Sequence, residues 1–263
     1  DNDVSFNSKL FVDNDVSFNR KFAVGSDVSL NANVDVCGNF YAQYPNNSIP
    51  INAVDVNGGG SITTNTAIGS NALFSNSDGS WNTAYGSEAL FTNTTGSYNV
   101  ANGSEALKSN LEGKFNVANG VQALYHNNTG SYNVANGVQS LYHNNTGSHN
   151  VANGSKALRS NITGNHNIAS GSQALYSNTS GSENVGVGYQ SLRINETGSN
   201  NVAIGHEAGD QLSGGNYNTF IGSNADVDFT GGNYSNSTAI GSNAKITASN
   251  QIVLGTATEH VVI

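Results

Sequence analysis

The chain has 263 residues, a formal net charge of −9 and only 10% charged side chains, with 44 asparagines, 31 glycines, two prolines and no methionine. So acidic a chain offers no basic face for nucleic acid, and it has neither a run of about 18 apolar residues to span a membrane nor the charged start and apolar middle of a signal peptide. Large side chains for a thick core are scarce, so order must come from Asn and Gly recurring at fixed spacing.

Residues 1–36 repeat every 12 positions, as DNDVSFNSKLFV, DNDVSFNRKFAV and GSDVSLNANVDV. Val4, Phe6, Leu10, Val12, Val16 and Phe18 all fall on even positions. Period-two alternation predicts strands with one buried face. Twelve residues are too few for a one-chain coil with a filled core, so a β shaft over residues 1–39 is expected to close by three chains wrapping together. The D-V-S-[FL]-N units resemble repeats in fibre-like proteins of large DNA viruses and some phages. Cys37 is the only cysteine, which excludes an intrachain disulfide. It reads as a small packed residue, with an interchain bridge as the alternative. Residues 40–60 break the period, carry Pro45, Pro50 and three consecutive glycines, and read as a junction.

From Asn65 the chain repeats every 17 residues through ten units. One Asn column runs from Asn65 to Asn218, and a Gly column four places on runs from Gly69 to Gly222. A Leu column runs from Leu73 to Leu192, a second Asn column from Asn76 to Asn195, and a second Gly column from Gly79 to Gly215. The unit is too short for a helix-turn-helix repeat, and its Asn and Gly forbid a continuous helix. It predicts one coil of a parallel β-solenoid, with N-V-A-x-G and x-x-A-L-x-x as strands and N-x-T-G as an exposed turn. Like residues then lie over like at about 4.8 Å per coil. Asn forms amide ladders, and the Leu row with the Val/Ile/Thr row forms the interior. That interior is thin for a lone chain, so a second packing surface is expected, supplied by a homotrimer.

The stretches NTAIGSNA at 65–72, NVAIGHEA at 201–208 and STAIGSNA at 237–244 resemble head repeats of trimeric autotransporter adhesins. The resemblance covers roughly residues 60–250 and implies a left-handed parallel β-roll and an obligate homotrimer. The unit here is longer than that family's usual one by its extended N-x-T-G turn, and the family's membrane anchor is not visible. The head is assigned to residues 61–245, with residues 246–263 as closing strands. The chain is expected to be a segment whose ends abut further protein, either more sequence or another subunit.

No catalytic constellation stands out, so the chain is not expected to be an enzyme or to hold a cofactor. His126, His143, His149 and His166 occupy repeat positions and read as surface ladder residues; a metal site needs three or four convergent ligands. The aromatic column Trp81, Tyr98, Phe115 and Tyr132, like that of Phe74, Phe91, Tyr125, Tyr142 and Tyr176, admits two readings. One is a strip that stacks on sugar rings; the other, favoured, is stacking between coils or at a trimer seam. Glycosylation acceptors N-x-[ST] fall in phase at Asn93, Asn127, Asn144, Asn161, Asn178 and Asn195, in the turn expected to be exposed. The expected function is a structural fibre, an adhesin or receptor-binding segment on an extracellular or virion surface, such as a viral tail fibre. Its partners are its own copies and a cell-surface glycan or receptor, with no nucleic acid and no membrane insertion. The alternative is a self-assembling extracellular filament subunit, N-glycosylated and mechanical in role.

Overall fold

A computed structural model describes residues 64–258. The shaft, the junction, Cys37 and the last five positions of the closing segment lie outside the described residues. The described chain is an all-β parallel solenoid without helix. Its strands are β1 (Thr66–Ile68), β2 (Thr83–Tyr85), β3 (Val100–Asn102), β4 (Val117–Asn119), β5 (Val134–Asn136), β6 (Val151–Asn153), β7 (Ile168–Ser170), β8 (Val185–Val187), β9 (Val202–Ile204), β10 (Thr219–Ile221), β11 (Asp226–Val227), β12 (Thr238–Ile240), β13 (Lys245–Ile246) and β14 (Ile252–Leu254). All but β11 and β13 form one 12-stranded parallel sheet in chain order; β11 and β13 pair separately. Val117, Ala118 and Asn119 face Val134, Ala135 and Asn136, a register of 17 residues. One sequence unit is therefore one coil.

The interior differs from expectation. In each three-residue strand the middle residue points inward and the flanking ones outward. The middle residue is almost always Ala, so the Val/Ile/Thr row lies on the outer face. The core consists of the Leu column and two Ala columns, as at Ala118, Ala123 and Leu124, all fully buried. The coil is so narrow that only Ala fits opposite the Leu row. Each buried Leu contributes roughly 1.5–3 kcal/mol, and only its neighbours in the stack allow that burial.

The second expected strand is not a strand. Leu141 has φ 49° and the preceding Gln139 φ 56°, and the same left-handed values recur in each coil. The segment turns corners instead of extending, yet its backbone still bonds to adjacent coils: Leu141 N–H donates to Ala157 O at 2.9 Å and Gln139 N–H to Val121 O at 3.0 Å. Inter-coil backbone bonding thus survives without extended geometry, satisfying the buried amides.

Two glycine columns have separate causes. Gly120 ends β4 at φ 142°, and a Cβ there would lie 2.6 Å from Gly137 O. A Cβ on Gly130 would lie 2.5 Å from Asn127 Oδ1 and 2.7 Å from Asn144 Nδ2. The first glycine permits the bend; the second makes room for the amide ladder.

The repeat changes character after Asn201. Gly209 takes the Leu position, Leu212 takes the second Asn position, and Phe220 replaces the inward Ala of β10. A Cβ on Gly209 would meet both Leu192 and Phe220 at 2.9 Å. The volume lost at Gly209 is therefore refilled from the next coil by Phe220, which is fully buried, as close packing requires.

Candidate functional site

The two Asn columns are internal. Asn116 N–H donates to Asn99 Oδ1 at 2.9 Å, and Asn116 Nδ2 donates to Gly130 O at 2.9 Å. Asn127 Nδ2 donates to the same Gly130 O at 2.8 Å and to Asn110 Oδ1 at 2.8 Å. Both columns thus converge on one carbonyl per coil, whose two lone pairs are filled. The second ladder runs with one direction from Asn195 back to Asn76. It stops because Leu212 follows, and Asn195 Oδ1 is left buried without a partner.

This geometry corrects the glycosylation expectation. Asn93, Asn127, Asn144, Asn161, Asn178 and Asn195 are not exposed turn residues: each has 0% exposure. An N-linked sugar replaces one Nδ2 hydrogen, and here both are used, one on the preceding Asn and one on a Gly carbonyl. A sugar at these positions is incompatible with the ladder. The sequons whose asparagines do reach the surface are out of phase, at Asn102, Asn153, Asn233 and Asn236.

The first aromatic column forms as a stack. Trp81 and Tyr98 have centroids 6.4 Å apart, and Tyr98–Phe115 and Phe115–Tyr132 are each at 4.9 Å, with interplanar angles of 10° or less. The stack continues through His149 to His166, again at 4.9 Å per step. The rings are about half exposed, but their faces lie against one another. Only edges reach solvent, and a sugar ring needs a face, so the packing reading is the one the geometry supports. Tyr98→Ala is expected to cost about 1 kcal/mol of stability, since it removes two stacked pairs at a half-exposed position; urea denaturation followed by circular dichroism checks this.

The second column interleaves cations with rings. Lys108 lies 5.4 Å from the Tyr125 ring centroid and bridges Glu88 at 2.6 Å and Glu105 at 3.0 Å. Arg159 sits between Tyr142 and Tyr176, at 5.2 and 5.8 Å. Beside this column, His126 and His143 stack at 5.4 Å. Burial lowers both imidazole pKa values, and Arg159 and His126 lower that of His143 further. Near the repeat break, Asp226 is buried and accepts from Val227 N–H at 2.8 Å and Gln211 N–H at 3.1 Å. Burial pushes its carboxyl up to about 7, against the opposing pull of Lys245 at 3.9 Å.

No family model, curated protein or solved structure matches the chain. The surfaces themselves carry what can be said of function. Among the described residues no three His, Cys, Asp or Glu side chains gather as a metal ion would require. No helix there is long and apolar enough to cross a membrane. One groove of about 500 Å³ is lined by His126, Asn128, His143, Asn145, Ser160, Ile162 and Thr179. Sequence reasoning had His126 and His143 in one column, but not the neighbouring column from Asn128 to Thr179 that makes the second wall; its signal was the same 17-residue spacing two positions on.

Proposed function

We propose that the chain is a non-catalytic structural segment of a homotrimeric fibre on an extracellular or virion surface, with a left-handed coil. The supporting observation is the outer face of the large sheet. Its β-branched rows stay uncovered in a single chain: Val100 is 38% exposed, Ile168 43%, Ile204 43% and Ile240 41%. A continuous stripe of this kind running across twelve strands is what an association surface provides. The core behind it holds one Leu and two Ala per coil, which leaves little stabilisation from a lone chain. Packing three such faces about a common axis adds the missing apolar burial and closes the assembly.

The reading predicts a particle of about three times the 27.2 kDa chain mass in native mass spectrometry. Val134→Lys combined with Val151→Lys, on β5 and β6, is expected to shift it to monomer while the β-type circular dichroism persists. A wild-type monomer at micromolar concentration overturns the trimer. The second reading, a self-assembling filament, draws on β14, where Ile252 is 76% and Leu254 48% exposed. Electron microscopy separates the two: discrete short rods support the first, indefinite filaments the second.

A further inference from the structure

We infer that the groove between the column of His126 and His143 and the column of Asn128 and Asn145 binds an uncharged, extended oligosaccharide laid along the solenoid axis. This names a ligand class for the surface-fibre reading and rests on it only for context, since the groove belongs to a single chain. His126, His143 and Ser160 form one wall at a spacing of 17 residues; Asn128, Asn145, Ile162 and Thr179 form the other at the same spacing. Between the walls the chain runs through the buried amides of Asn127, Asn144 and Asn161, so the floor is rigid.

Three features select the ligand. First, no lining residue bears a formal charge, and both imidazoles are neutral at pH 7 because their pKa values lie below the ordinary 6.5. Arg159 is held between Tyr142 and Tyr176, outside the lining. Second, imidazole, amide and hydroxyl groups supply both donors and acceptors, repeated once per coil. A chain of sugars, each advancing by about one coil, presents hydroxyls with the same recurrence. Third, the wall is held in place before any ligand arrives. The His126 ring packs edge-on against Tyr125 at 4.5 Å and Tyr142 at 5.5 Å, and His143 against Tyr142 at 4.5 Å. Such fixing lowers the ordering cost of binding. A peptide is disfavoured, because Ile162 is the only aliphatic anchor and no strand lines the groove for β-addition.

The test is isothermal titration of the full chain with cellohexaose, chitohexaose and mannohexaose, and with a heparin hexasaccharide as the charged comparison. At least one neutral hexaose is expected to bind, and more tightly than the heparin fragment. His126→Ala with His143→Ala is expected to weaken it tenfold or more. Ser160→Trp, which obstructs the groove from a surface position, is expected to do the same with the circular dichroism spectrum unchanged. Trp81→Ala, on the aromatic stack, is expected to leave affinity unaltered. Binding by none of the neutral hexaoses, preference for heparin, or insensitivity to Ser160→Trp overturns the assignment. These outcomes are independent of whether native mass spectrometry finds a trimer.

Discussion

Asn144→Asp is expected to destabilise the middle of the solenoid by about 3–5 kcal/mol, the cost of an uncompensated buried charge. The substitution changes one atom. That atom, Nδ2, donates to Asn127 Oδ1 at 2.7 Å and to Gly147 O at 2.7 Å. An aspartate oxygen would place acceptor against acceptor on both sides, in a site with no exposure, where unmade bonds cost most. Asn145→Asp is the matched control. It lies one residue on, half-buried in the groove wall, and is expected to change stability by less than about 0.5 kcal/mol. Urea titration with hydrogen exchange distinguishes the two. Because each coil touches only its neighbours, the loss of protection should centre on the coils around Asn144 and fade along the stack.

Stability of the C-terminal coils should rise by about 2–3 kcal/mol between pH 8 and pH 5 through Asp226 alone. Its carboxyl takes up a proton near pH 7 in the folded chain and near 3.8 when unfolded. Between those values the folded state holds more protons, so folding is favoured as pH falls. The gain is complete below about 4 and lost as pH rises through about 7. The groups facing it are Lys245, which favours the charged form, and Asp210, which opposes it. Asp210 is itself held by Arg193 at 2.6 Å, so it stays ionised through this window. Asp226→Asn is expected to abolish the dependence and to hold the stability high at pH 8. Hydrogen exchange of β11 and β13 across that range measures it; a flat profile in the wild type would contradict the role of burial.

How much of this was legible in the residues follows from what stacking demands. A solenoid places each residue above its own copy, so the 17-residue period and the amide ladders could be read directly from Asn65 onward. Which way each side chain faces could not. Val and Ile look like core and Ala looks like filler, yet the narrow coil admits only Ala opposite Leu141 and turns Val134 outward. The left-handed backbone at Leu141 has no signature, because Leu rarely adopts it; tertiary burial of the side chain overrides the local preference. Asn127 and Asn144 were read from the surface habit of turns, whereas their carbonyl partners lie inside. The swap of Gly209 and Phe220 was visible as two broken columns, but only close packing shows that one break answers the other. Asp226 was one scattered acid among several until the two-residue insertion of its coil placed it under β13.

The stacking itself is tested most directly by distances between spin labels on exposed turn threonines, in a Cys37→Ser background diluted with unlabelled chain. Labels at Thr95 and Thr146 are three coils apart, and labels at Thr95 and Thr197 six. With one coil per 17 residues at about 4.8 Å, the two separations are expected near 14 and 29 Å, doubling as the number of coils doubles. A Thr95–Thr197 distance that departs from this proportion, or exceeds about 40 Å, would mean that Asn82 does not lie over Asn99, and neither ladder, groove nor outer face as described would then exist.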